Sequence, residues 1–366
     1  MQCRRCQKDS PLISKVIGYC VDCIRSHFNE IEHDIREVHR RNRIRDGLPP
    51  EPPRATDGRL CPICFNACRI PPGEKGFCGM YENHDGKLIP ITSSRLKGIV
   101  HWYHDALPTN CCAAWVCAGC SGTGYPHLSF APGPECGYKN LAVFYCACNF
   151  DCLFCQNWTY RRYLKNPVPS PVEDLVRAVD KKTSCICYFG GDPTPQVIHA
   201  LRTSRMALQE NTGKVLRICW ETNGGASSSL IDQMARISLT SGGCIKVDLK
   251  AWNKEVNVAL CGVSNEQTLK NFRRLATFHK ERKEPPFLIA STLLVPGYID
   301  VHEVRGLARF IASLDPAIPY TLLAFHPDFK MDDLPSTSRE HATQCLEAAQ
   351  DEGLTNVNVG NLHLLW

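Results

Sequence analysis

From about residue 141 onward the chain alternates short apolar runs with longer amphipathic stretches. The apolar, β-branched runs fall at 141–147, 184–189, 215–221, 244–249, 287–295 and 319–325. Between them, residues 171–181, 194–209, 228–240, 265–279 and 301–313 carry apolar side chains at helical spacing. Six strand–helix repeats with near-continuous apolar strands predict an α/β fold, a parallel sheet covered by helices and curved into a partial barrel. In such folds binding groups gather at the C-terminal ends of the strands. No sequence repeat of about 20–50 residues is superimposed on this alternation.

The first 140 residues follow a different pattern. Two Cys-x-x-Cys pairs occupy residues 1–23, followed by a basic stretch in which Ile24, Phe28, Ile31, Ile35 and Val38 recur at helical spacing. The Gly- and Pro-rich segment 47–58 cannot continue a helix and reads as a linker. Residues 59–140 form a cysteine-rich extension with many Gly and Pro. The expected organisation is therefore a small cysteine module plus basic helix (1–46), the linker (47–58), the extension (59–140) and the α/β core (141–366).

Composition changes this picture at one point. The 366 residues are 43% hydrophobic and 22% charged with a net charge of +5, ordinary for a globular protein and too mild to imply nucleic acid. No apolar run approaches the roughly 18–20 residues of a membrane helix and no signal-peptide core is present, so a cytoplasmic protein without a membrane partner is expected. Cysteine is the exception: there are 23, an odd number, many in Cys-x-x-Cys pairs. A chain this long builds its own core without a disulfide framework, so clustered thiols read as metal or iron–sulfur ligands.

Cys148-Asn-Phe-Asp-Cys152-Leu-Phe-Cys155 directly follows the first core strand. Three thiolates at this spacing hold three irons of a [4Fe–4S] cubane and leave the fourth open to a ligand; a zinc site completed by Cys146 or a distant residue is the competing reading. Polar or glycine signals end four later strands: Gly190-Gly191-Asp192-Pro193, Glu221-Thr222-Asn223-Gly224, Asp248-Leu249-Lys250 and Val295-Pro296-Gly297. Glycines admit a ligand close to the backbone, Asp192 can accept from a cationic amino group, and alternation puts Asp248 and Lys250 on one face.

Together these residues resemble the radical S-adenosylmethionine (SAM) superfamily, in the branch near pyruvate formate-lyase-activating enzymes. The resemblance implies that Cys148, Cys152 and Cys155 hold the cluster, and that Gly190, Gly191, Asp192, Pro193, Asn223, Asp248, Lys250, Val295 and Pro296 receive SAM. Asp192 stands where glutamate is commoner. Cys61-x-x-Cys64-x3-Cys68, Cys78 and Phe325-His326-Pro327-Asp328 resemble the radical SAM component of the AmmeMemoRadiSam group. The thiols between 105 and 145, and the module at Cys3–Cys23, depart from that pattern.

Outside the resemblance, Cys3, Cys6, Cys20 and Cys23 have the spacing of a four-cysteine zinc ribbon. Cys61, Cys64, Cys68 and Cys78 suit zinc or a second, auxiliary iron–sulfur cluster. Cys111, Cys112, Cys117, Cys120, Cys136 and Cys146 offer ligands without diagnostic spacing, and Cys185, Cys187, Cys219, Cys244 and Cys261 read as small buried hydrophobes. His326, ending the sixth strand, is the candidate substrate-side acid, base or ligand. The basic run His39–Arg45 reads as a solvated helix face. The expected function is SAM cleavage to a 5′-deoxyadenosyl radical that abstracts hydrogen from a protein or small molecule, with a separate electron donor. Methyl transfer, carbon–carbon bond formation, or a non-catalytic nucleic-acid-binding or electron-transfer role are the alternatives.

Overall fold

The computed structural model describes residues 1–366. Eight strands form one sheet: β1 (Val100–Ala106), β2 (Lys139–Tyr145), β3 (Thr183–Gly190), β4 (Arg217–Thr222), β5 (Ile245–Asp248), β6 (Leu288–Leu294), β7 (Tyr320–Ala324) and β8 (Val357–Gly360). Their order in space follows their order in the chain, and β1 and β8 remain edges. β1 runs antiparallel to β2, while β2 to β8 are all parallel. The partial barrel is thus present, with seven parallel strands where six were expected. β8 escaped the sequence pattern because it has four residues, all only half-buried.

Seven helices matter for the site: α1 (Val21–Arg45), α2 (Val197–Glu210), α3 (Ser228–Ser241), α4 (Lys254–Cys261), α5 (Glu266–His279), α6 (Val301–Ala312) and α7 (Arg339–Asp351). α4 and α7 were not foreseen, and of 171–181 only Val172–Arg177 is helical. β1 comes from the cysteine-rich extension. Its polar sequence, Val-His-Trp-Tyr-His-Asp-Ala, suits an edge strand with most side chains in or near solvent.

Period-two alternation divides the strands between two faces. Leu141, Val143, Ile186, Tyr188, Ile218, Trp220, Ile245 and Val247 are fully buried in the main core. The other face carries Asn140, Cys185, Cys187, Cys219, Glu221, Lys246 and Asp248, and it is here that the cavities open.

The N-terminal module is docked on the core. Arg25 pairs with Asp300 at 2.6 Å and with the buried Glu303 at 3.0 Å. The Ser14 amide donates to Tyr298 Oη at 3.0 Å, and that hydroxyl donates to the Tyr19 carbonyl at 3.2 Å. The reading of His39–Arg45 as a solvated face is corrected. Ile31, Ile35, His39 and Arg43 lie one helical turn apart and all are buried, whereas Arg40 and Arg41 stay outside on Glu37. The i, i+4 stripe continues inward with polar side chains because a buried carboxylate waits for them.

Candidate active site at the strand C-terminal ends

That carboxylate is Asp151, inside the cluster loop. It is fully buried and accepts from Arg161 Nη2 at 2.6 Å and Asn42 Nδ2 at 3.3 Å, and lies 2.8 Å from His39 Nδ1 and 3.6 Å from Arg43 Nη1. Burial alone would raise its pKa, but the His39 hydrogen bond and the charges of His39, Arg161 and Arg43 hold it at about 2. The loop backbone is tied as well. Asp151 and Leu153 donate to the last carbonyls of α4, those of Cys261 and Leu260, both at 2.9 Å. Asn66 Nδ2 donates to the Asn149 carbonyl at 2.8 Å, and Lys330 N to the Leu153 carbonyl at 2.9 Å. Gly262, which caps α4 with φ of 72°, lies so close that a Cβ there would stand 3.0 Å from His39 Nδ1.

So braced, the loop presents Cys148, Cys152 and Cys155 to a cavity of about 180 Å³. Gly190, Gly191, Asp192, Asn223, Asp248 and Lys250 line it from the ends of β3, β4 and β5. Gly191 is required by space: a Cβ would fall 2.2 Å from the Ala147 carbonyl oxygen. Lys250 Nζ lies 2.7 Å from Asp248 Oδ2, and Ser291 Oγ donates to Asp248 Oδ1 at 2.6 Å. Asp192 has a positioning share in the site. It accepts from the amides of Thr194 at 2.8 Å and Asn223 at 2.7 Å and from the Thr222 hydroxyl, which locks two strand ends together.

The donor set fits an iron–sulfur cluster with a bound amino-acid-like ligand. Cys148 Sγ accepts from Phe150 N at 3.4 Å and Asn223 Nδ2 at 3.7 Å, contacts typical of a metal-bound thiolate sulfur. The Cys155 thiol is pushed up to about 12 by burial, and Cys152 well above its ordinary value by its contact with Cys261 and by burial. Burial likewise raises the Cys148 thiol well above its ordinary value.

Residues 142–311, just under half of the chain, match the model of the radical SAM superfamily. The chain carries a radical SAM domain. The uncharacterized protein MJ0808 of Methanocaldococcus jannaschii is 25% identical over 82% of this chain and 81% of its own length. MJ1632 of the same organism, named provisionally as a glycyl-radical enzyme activating enzyme, is 24% identical over 49% of this chain and 64% of its own length. Among solved structures, a domain of pyruvate-formate lyase-activating enzyme from Bacteroides vulgatus is 25% identical, covering 48% of this chain and 98% of that one, with a TM-score of 0.39. The radical SAM match begins within β2 and ends within α6, so it contains the loop of Cys148, Cys152 and Cys155 and every strand end that lines the cavity except that of β7.

Four expected site residues lie outside the cavity lining. His326 is exposed and outside the cavity: Phe325 turns into the core, with its amide held by the Thr337 hydroxyl at 2.8 Å, and the chain leaves the sheet pointing outward. Val295 and Pro296 also miss it. Leu293 takes the inward position on β6, and the following turn packs on the N-terminal module, where a Cβ on Gly297 would meet the Leu12 carbonyl at 2.1 Å. Pro193 is buried at the start of a short 3₁₀ turn, outside the lining. The lining residues that sequence reasoning passed over include Phe150, Gln156, Asn157, Tyr160, Leu293 and Leu323. Glu221, the first residue of the Glu221-Thr222-Asn223-Gly224 strand end, lines the cavity as well and alternates inward with Cys219.

The outlying thiols differ from one another. Cys3 and Cys23 lie 3.8 Å apart, Cys6 and Cys20 3.7 Å, and all four sulfurs fall within 4.8 Å of one another. That is close to the roughly 3.8 Å edge of a tetrahedral zinc–thiolate site. Cys61, Cys64, Cys68 and Cys78 share one neighbourhood, and burial raises Cys61 to about 11 and raises Cys68 as well, but no three of their sulfurs come that close. Their loop meets the active site directly: Phe65 N donates to the Gly225 carbonyl, and the Phe65 ring stands edge-on to Phe150 at 5.8 Å.

Proposed function

We propose that this chain is a radical SAM enzyme whose cluster is held by Cys148, Cys152 and Cys155 and whose substrate sits beside Glu221 on the inner face of the sheet. When bound, the cluster supplies the electron that splits SAM into methionine and a 5′-deoxyadenosyl radical. The protein's own residues bind and orient. Asp248 and Lys250 offer a carboxylate and an ammonium to the zwitterionic end of SAM, Gly190 and Gly191 allow close backbone approach, and Asp192 fixes the two strand ends. The observation that carries the reading is the convergence of three loop thiols and three strand ends on one cavity.

The substrate reading is narrower than the family's range. Next to the SAM cavity lies a space of about 270 Å³ lined by Asn110, Cys112, Gln156, Glu221, Asp248 and Asn358. This polar lining suits a small polar substrate, or one side chain projecting from a protein, and a glycyl-radical partner enters only in that second form. Zinc is the reading for Cys3, Cys6, Cys20 and Cys23, with a structural role. The test is anaerobic reconstitution with iron and sulfide, reduction, addition of SAM, and quantification of 5′-deoxyadenosine beside Cys152→Ala. Formation that depends on Cys152 supports the proposal; a reducible cluster that forms none, and whose EPR signal ignores SAM, sinks it.

A further inference from the structure

The thiols read as small buried hydrophobes do not scatter through the core. Alternation sends Cys185 and Cys187 of β3, Cys219 and Glu221 of β4, and Lys246 of β5 to the same inner face. The strand register sets Cys187 beside Cys219 and Glu221 beside Lys246. Across this face runs the segment that carries Cys111 and Cys112. It is fastened to β7: Trp115 Nε1 donates to Thr321 Oγ1 at 3.0 Å, and that hydroxyl donates to the Cys112 carbonyl at 2.8 Å.

The result is a compact donor group. Glu221 Oε1 lies 3.4 Å from Cys111 Sγ and 3.3 Å from Cys112 Sγ, and the three ligand atoms lie within 4.8 Å of one another. With Zn–S near 2.3 Å and Zn–O near 2.0 Å, a tetrahedral centre has S···O edges of about 3.5 Å. The observed edges agree with that value to about 0.2 Å. Lys246, almost wholly buried, lies 2.9 Å from Glu221, 3.1 Å from Cys111 Sγ and 3.0 Å from Cys187 Sγ. It orients the carboxylate and one sulfur and offsets the negative charge of a dithiolate–carboxylate site. Glu221 also lines the SAM cavity and the polar space beside it.

We propose that Cys111, Cys112 and Glu221 form a mononuclear site for a zinc-class divalent ion, with the fourth coordination position open to the polar space beside the SAM cavity. Two thiolates, a carboxylate and an open position are the ligand pattern of a metal centre that binds a substrate group. Resting on the SAM-cleaving reading, the ion would anchor a polar group of the substrate. The site itself stands without that reading.

The test counts metal, so it is independent of SAM cleavage. The full chain, anaerobically purified and supplied with zinc, is compared with Cys111→Ser/Cys112→Ser by elemental analysis, with cobalt substitution to report thiolate ligation by its charge-transfer absorbance. The double variant should lose one zinc per chain and the matching cobalt–thiolate band, while its far-UV circular dichroism and its reconstituted iron match the parent. Glu221→Gln should bind the ion about tenfold or more weakly in competition with a chromophoric chelator. Cys244→Ser, on the same inner surface but outside the trio, should keep the full complement. Metal content unchanged in the double variant overturns the assignment, with Lys246 then the only cation the group needs. Loss of iron and sulfide in place of zinc overturns the mononuclear site in favour of a second cluster, and equal loss in Cys244→Ser overturns the choice of ligands.

Discussion

Asp151 is where one atom substitution should test the architecture most directly. Its carboxylate sits inside the cluster loop among Arg161, Arg43, His39 and Asn42, with no access to water. The drop in its pKa from the ordinary 3.8 to about 2 corresponds to roughly 2 kcal/mol, at about 1.4 kcal/mol per pH unit. Asp151→Asn removes that charge and keeps the shape, so it should cost about 2 kcal/mol of folding stability. Asp151→Ala also leaves buried Arg161 and Arg43 short of a partner, which raises the expected cost to about 3–5 kcal/mol. Arg161 keeps Asp46 at 2.8 Å, but the Arg43 Nη1 has no hydrogen-bond partner even in the parent. The sign in pH follows: the carboxylate's contribution is complete above 3.8 and is lost as pH falls through about 2. Urea unfolding of the reconstituted protein, read by tryptophan fluorescence alongside iron per chain, measures both effects. An Asp151→Ala protein within about 1 kcal/mol of the parent and with full iron would refute the idea that α1 braces the cluster loop through this carboxylate.

Three further outcomes are expected. Lys250→Ala should raise the SAM dissociation constant about tenfold or more, by removing a charged hydrogen-bond partner, while iron per chain stays at the parent level; calorimetry on the reconstituted protein measures it. Gly191→Ala pushes a methyl group against the Ala147 carbonyl and should cost about 1–3 kcal/mol, together with several-fold lower iron retention, read by absorbance of the cluster after gel filtration. His199 is buried against Tyr145 Oη, 2.8 Å away, and burial lowers its pKa to about 4. Between 6.5 and about 4 the unfolded chain binds a proton that the folded one excludes, so stability should decline across that window as pH falls. Urea midpoints at a series of pH values should show this slope in the parent and a shallower one in His199→Gln.

The sheet was legible because each buried parallel strand is an apolar run bounded by turn residues, and five of the intervening helices carry a clear 3.6-residue stripe. The cluster loop and the paired Asp248 and Lys250 were legible for the same local reason: their geometry is fixed by spacing within one loop or one strand. What stayed hidden depends on contacts between distant segments. His326 looked inward because it ends a strand, yet Thr337 holds the preceding residue and turns the chain out. Val295 and Pro296 were displaced by the N-terminal module, whose docking no local pattern announces. Cys185, Cys187, Cys244 and Cys261 are buried as expected, but hydropathy did not show that three of them share one face with Glu221 and Lys246. Their parity was on the page: Cys185 and Cys187, Cys219 and Glu221, and Cys244, Lys246 and Asp248 keep the same two-residue step on neighbouring strands.

The additions to the domain therefore act on its centre from two sides. A short loop carrying three cysteines makes few regular hydrogen bonds of its own, yet a cluster with one open iron needs its three thiols held at fixed separation. Here residues 39, 42 and 43 grip the loop through Asp151, Asn66 holds it through Asn149, α4 through two carbonyls, and Lys330 through Leu153. From inside, Cys111 and Cys112 reach Glu221 at the boundary of the SAM cavity. On the proposed function, the first group bears on whether a cluster assembles, and the second on what can sit beside it. Changes in the N-terminal module should then alter cluster retention at unchanged substrate preference, whereas changes between residues 105 and 120 should alter preference at unchanged cluster content.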